Sequence, residues 1–211
     1  MQIFLWTCVV PNPSTLKRLT LWQLTAYSAA LIERMLPNYQ MFSEAAEFGD
    51  AKLLRNQLDL VWQRLAQPQF KLNFTVQLEK LEEVIPNVED FDFFGVYPAL
   101  DTCMALGSLL QGMQDKDFQT LNNVALLSKG SVSYYLELML AQEQADEQGE
   151  GGDEIVIQQA DIDAHPLMQW EMETQQELLD FALQAKENKA SCQTLKTMAL
   201  SEGMSNLGIE I

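Results

Sequence analysis

Between Asp50 and Pro68 the apolar residues Leu54, Leu58, Val61, Trp62 and Leu65 recur at intervals of three and four, the mark of a helix with one buried face. The same spacing returns in almost every other stretch of the chain. Nowhere do apolar and polar residues alternate for long enough to make a half-buried strand. A helical period throughout restricts the fold to helices packed on helices. The predicted architecture is therefore all-α, an irregular single-domain bundle of about seven to nine helices.

Caps and breakers divide the pattern into segments. Ser14 is placed to cap a helix ending at Pro37, with Leu16, Leu19, Gln23, Ala26 and Ala30 on one stripe and Leu24, Leu31 and Met35 beside it. Asn38 can restart a short helix that stops at Gly49, and Asp50 caps the next. FTVQLEKLEEVI precedes Pro86, and Pro98 suits the first position of PALDTCMALGSLLQG. That last segment is apolar almost all round, with Ala99, Ala105, Gly107 and Ser108 small enough for close neighbours. Asp117 caps a long stripe through Leu121, Val124, Ser128, Val132, Leu136 and Met139, which Gly130 is expected to split. Helices resume near Pro166 and again after Ser191, while IVI at 155–157 reads as an isolated strand or a lead-in.

A chain of 211 residues with 47% hydrophobic content has material for one core and buries roughly 70% of its unfolded surface without staples. The expected organisation is an apolar arm over residues 1–13 and one domain over 14–211, with a solvated acidic loop at 143–154. MQIFLWTCVV is too short to span a membrane and lacks the basic flank of a secretory signal. Cys8, Cys103 and Cys192 are few, widely spaced and odd in number, which suits free thiols in a reducing, cytoplasmic compartment.

Charge narrows the function. The net charge is −17, and residues 131–211 carry 16 acids against 3 bases. Phosphate backbones are held by cations that release counterions, so direct nucleic-acid binding is disfavoured. The acidic character suits solubility, or attraction to a basic partner.

Chemistry-bearing motifs are sparse. Asp90, Asp92, Gly95 and Asp101 fall at positions one, three, six and twelve of a calcium-loop spacing. Position five is Phe94, however, and position twelve lacks the longer glutamate. The stretch reads better as a structural joint: Phe91, Phe93, Phe94 and Tyr97 are anchors, Gly95 supplies a turn open to glycine, and the acids precede a helix N-terminus. DIDAH, residues 161–165, offers three metal ligands but reads as a helix start with Asp163 as its cap and the only histidine, His165, nearby. Cys103 lies in an apolar helix, where a thiol is packing material, and Met35, Met104 and Met139 fall on core stripes. Glu44 with Glu47, and Glu79 with Glu82, are i,i+3 pairs that each share one helix face.

ERMLPNYQMF at 33–42, GDAKLLRNQLDLVW at 49–62, QLEKLEEVIPNVEDFDFFGVYPALDTCMAL at 77–106 and SNLGIEI at 205–211 together resemble the YjaG-like family of bacterial proteins. The likeness runs over most of residues 12–211. It implies a compact all-α, cytoplasmic protein and supplies no catalytic residues; residues 1–11 extend beyond the family's usual start. The expected function is a non-enzymatic binding protein, acting on itself or on a basic partner, with no cofactor. Phe4 and Trp6 are candidates for holding a homodimer together. The alternative is a magnesium-dependent hydrolase of a phosphorylated small molecule, with Glu44, Glu47, Glu79 and Glu82 as ligands.

Overall fold

The structure is a computed structural model that describes residues 15, 18–148 and 155–210. It holds eight α-helices among those residues: α1 Leu21–Ala46, α2 Ala51–Ala66, α3 Phe74–Glu82, α4 Val96–Asp115, α5 Phe118–Gln148, α6 Gln159–Ala164, α7 Pro166–Gln184 and α8 Lys189–Ala199. The expected arm over 1–13, with Phe4, Trp6 and Cys8, and the expected cap Ser14 all lie outside the described residues.

α1 is the axis of the bundle. Every residue from Leu24 to Met35 is buried, because α2, α4, α5, α7 and α8 all pack against it. Each large apolar side chain on it, such as Leu31 or Ile32, contributes about 1.5–3 kcal/mol by leaving water. The helix begins later and ends later than its caps predict. Thr20 is the N-cap: its side chain accepts from Gln23 N at 3.2 Å, while Gln23 Oε1 accepts from Thr20 N at 2.9 Å. Pro37 lies inside the helix rather than ending it. A proline costs one backbone bond there, but Asn38, Tyr39 and Phe42 beyond it are buried, and their packing outweighs that loss.

The other boundaries follow the caps more closely. Asp50 accepts from Leu53 N at 3.0 Å and starts α2. Asp117 accepts from Gln119 N and Thr120 N and starts α5. α5 runs unbroken through Gly130, which is exposed with open space around its α-carbon. It also continues to Gln148, so the first half of the expected acidic loop is helical. Residues 155–157 form neither strand nor helix.

The joint before α4 is real, although two of its expected details differ. Phe91 meets Phe42 and Phe48 edge-on at 5.0 and 5.4 Å between ring centres. Gly95 is right-handed, with φ −54°, so its turn is open to any residue. A side chain there would instead meet the Phe93 ring at 2.8 Å. Pro98 is the third residue of α4 rather than the first; a first-turn N–H has no intrahelical partner, so nothing is lost. The close helix approach falls not at Gly107 but at Gly112, where an added Cβ would lie 2.7 Å from Leu121 Cγ. Met104 is 48% exposed rather than a core residue.

Two apolar clusters build the interior. The larger surrounds α1, and the smaller joins Val132 and Leu136 of α5 to Ile162, Met168 and Leu207. Polar residues separate them along both long helices. On α5, Ser128 lies between Ala125 and Val132; on α7, Glu171 and Gln175 lie between Met168 and Leu178.

Candidate functional site

α7 is set by its first residues. His165 is its N-cap, with Nδ1 accepting from Leu167 N at 3.1 Å, and Pro166 opens the first turn. His165 thus takes the capping role expected of Asp163, which sits in α6 and accepts from Gln159 Nε2 at 3.0 Å. From this start, helical spacing sorts the α7 side chains onto two neighbouring faces. Glu171, Gln175, Leu178 and Ala182 are buried. Trp170, Glu173, Thr174 and Glu177, spaced three and four apart, line the edge of a cleft instead.

The buried face meets Arg34 from the middle of α1. Arg34 Nη1 pairs with Glu171 Oε2, and the two side chains are 1% and 0% exposed. Glu171 Oε1 also accepts from Ser128 Oγ at 2.6 Å and from Gln175 Nε2 at 2.7 Å. Gln175 Nε2 reaches Ala125 O as well, and its Oε1 accepts from Tyr27 OH at 3.4 Å. Burial, and then the Glu171 charge, push the Tyr27 phenol far above its ordinary range, with Arg34 opposing. Asn206 adds a strut from the chain's end: its N–H donates to Arg34 O at 3.1 Å, and its side chain donates to Ser128 O at 3.2 Å. Glu171 is thus a buried carboxylate with its charge met and its acceptors used.

Arg34 is not fully used. Its guanidinium carbon lies 4.5 Å from the centre of the Trp170 ring, a cation–π distance. Its Nη2 is buried and meets no acceptor among the described residues. Arg34 also lines a cavity of about 250 Å³ with Trp170, Glu173, Thr174, Glu177 and Glu202. Glu173, Glu177 and Glu202 are exposed at the mouth. The cleft therefore has a paired arginine and an aromatic ring in its lining and three carboxylates around it.

The neighbouring Glu33 points away into a different network. It holds Arg55 through both oxygens at 2.5 and 2.9 Å and accepts from Trp62 Nε1 at 2.7 Å, with Lys196 Nζ at 3.4 Å. Adjacent charged residues on one helix thus serve α2 and α7 separately.

Glu44, Glu47, Glu79 and Glu82 are all exposed, the first pair near the end of α1 and the second on α3. Glu44 accepts from Gln40 Nε2 at 3.0 Å. The four are not brought together, and among the described residues no three His, Cys, Asp or Glu side chains gather in a metal-holding arrangement. Asp90, Asp92 and Asp101 do not gather either, and burial pushes the Asp101 carboxyl above its ordinary range. Cys103 is buried with its thiol pushed up to about 12, so it stays protonated packing material. Among the described residues no helix is long and apolar enough to cross a membrane.

Sequence reasoning missed Arg34, Trp170 and Glu171. One signal was available: Glu33–Arg34 is a charged pair inside YSAALIERML, an otherwise apolar run, and a charge within such a run needs a partner.

Residues 11–210 match a family described as "Protein of unknown function (DUF416)". The chain is 35% identical to the uncharacterized protein YjaG of Escherichia coli K12, over 92% of this chain and 93% of that one. An uncharacterized protein of Haemophilus influenzae is 33% identical, over 95% and 97%. The crystal structure of a DUF416 family protein from Shewanella baltica OS155 superposes with a TM-score of 0.82 at 36% identity, over 94% of this chain and 97% of that one.

Proposed function

Because the chain belongs to the DUF416 family of YjaG-like bacterial proteins, a family of unknown function, we propose from the cleft itself that this is a non-enzymatic binding protein for a basic partner. One observation carries the reading: a cleft rimmed by Glu173, Glu177 and Glu202 whose only lining cation among the described residues, Arg34, is already paired with Glu171. Such a concave, one-signed rim concentrates positive charge. The charge of −17 for the whole chain points the same way. A second copy is the poorer occupant, since two equally acidic chains repel. The reading sets the protein in the cytoplasm, where the free, buried thiols of Cys103 and Cys192 suit the redox state.

Calorimetric titration with a lysine-rich peptide tests it. The affinity is expected to fall as salt rises from low to physiological strength, as contacts between exposed charges do. It is also expected to fall in the Glu173→Gln, Glu177→Gln, Glu202→Gln triple variant. Equal affinity in native and triple-variant protein would place the partner elsewhere and overturn the reading.

A further inference from the structure

Another cavity lies where α1 begins, α2 ends, α3 begins and α4 ends, and its charge runs against that of the chain. It measures about 600 Å³, within the usual range for a small-molecule site. Leu21, Trp22, Leu65, Phe74 and Met113 give it an apolar lining; Leu65 is buried and the other four are half-buried. Trp22 Nε1 donates to Leu65 O at 3.0 Å, which fixes the indole with its donor already used. Among the described residues the lining carries two cations, Arg64 and Lys116, against one acid, Glu187. Glu187 accepts from Thr20 Oγ1 at 3.2 Å, and Arg64 Nη1 donates to Pro68 O at 2.6 Å. Neither cation makes an ion pair among the described residues. Arg64 stands in the last turn of α2 and Lys116 at the C-cap of α4, places where positive charge suits the helix dipole. The dipole accounts for each cation alone, but not for their meeting at one apolar cavity. Lys116 is also left-handed, with φ 56°, at a cap where glycine or asparagine is the usual residue.

We infer that this cavity binds a small hydrophobic carboxylate, its apolar body packed on Trp22, Phe74 and Met113 and its head meeting Arg64 and Lys116. The body gains by leaving water for those side chains. The head is anionic because the two cations lack a carboxylate of their own, and a charged acceptor is the stronger partner for each. Residues 1–14 cannot supply one, since they contain neither Asp nor Glu. The net charge of −17 opposes the anion only weakly, because physiological salt screens exposed charges beyond about 8 Å. Among the described residues this cavity shares no lining residue with the acidic cleft, so it stands whether or not a basic partner binds there.

The test is an NMR titration of the full-length protein, following the Trp22 indole N–H, with octanoate, octanol, acetate and octylammonium. Octanoate is expected to give saturating shifts there and to bind at least about fivefold more tightly than octanol, which has the chain without the charge. Acetate, the head alone, and octylammonium, the opposite charge, are both expected to bind more weakly than octanoate. In the Arg64→Gln, Lys116→Gln double variant octanoate should fall to the affinity of octanol, while octanol binds as it does to native protein and so shows that the cavity is intact. Lys116→Asn alone, at an exposed position whose conformation asparagine tolerates, should lower octanoate affinity at least about twofold even if the double variant fails to fold. Equal binding of octanoate and octanol by native protein would overturn the inference, as would tighter binding of octylammonium or saturation with the Trp22 signal unmoved. An octanoate preference undiminished in both variants would also overturn it. Failure of octanoate to bind would overturn it too, and would leave the cationic reading of the acidic cleft standing.

Discussion

Replacing Arg34 by Met should expose what the buried pair does. Glu171 then keeps Ser128 and Gln175 but loses the charge opposite it while remaining fully buried. Removing one partner of such a pair costs about 3–5 kcal/mol, enough to lower the melting temperature of a chain this size by roughly 6–20 °C. Adding Glu171→Gln should recover most of the loss, since the amide keeps an acceptor for Ser128 without the charge. Urea denaturation of the four proteins of this cycle at neutral pH gives the numbers. A penalty for Arg34→Met below about 1 kcal/mol would refute the reasoning.

Two glycines should respond in opposite directions to alanine. Gly112→Ala forces a Cβ to within 2.7 Å of Leu121 and should cost about 1–3 kcal/mol, whereas Gly130→Ala enters open space and should gain about 0.5–1 kcal/mol of helix stability; urea midpoints check both. In a Cys8→Ser background the two remaining thiols, pushed by burial to about 12 for Cys103 and about 11 for Cys192, should resist a thiol reagent at pH 8 until denaturant is added. The hydroxyl and N–H donors of Thr120, with Gln119 N, hold the Asp117 carboxyl below its ordinary range. Its stabilisation should therefore be present at neutral pH and be lost as acid protonates it; Asp117→Asn should flatten that part of the acid-stability curve.

Local chemistry was legible in the sequence, and long-range pairing was not. Asp50 and Asp117 cap helices as their positions require, because a cap depends on residues two or three places away. Pro37 and Gly130 were misread as breaks for the opposite reason. Their penalties are local, while the packing that overrides them involves helices distant in the chain. The site shows the same limit. Trp170, Glu173, Thr174 and Glu177 share a face that helical spacing alone reveals, but Arg34 meets Glu171 across a separation of 137 residues. No spacing rule connects them. The paired glutamates Glu44–Glu47 and Glu79–Glu82 were the reverse case: spacing placed each pair on one face, and the fold left both faces in water.

The most direct measurement is an NMR titration of isotope-labelled protein with a lysine-bearing peptide, following the Trp170 indole N–H and the Arg34 guanidinium signals. Occupation of the acidic cleft predicts saturating shifts at these two residues and at Glu202, all suppressed by added salt. Movement confined to other surfaces, with Trp170 and Arg34 unchanged at peptide saturation, would contradict it.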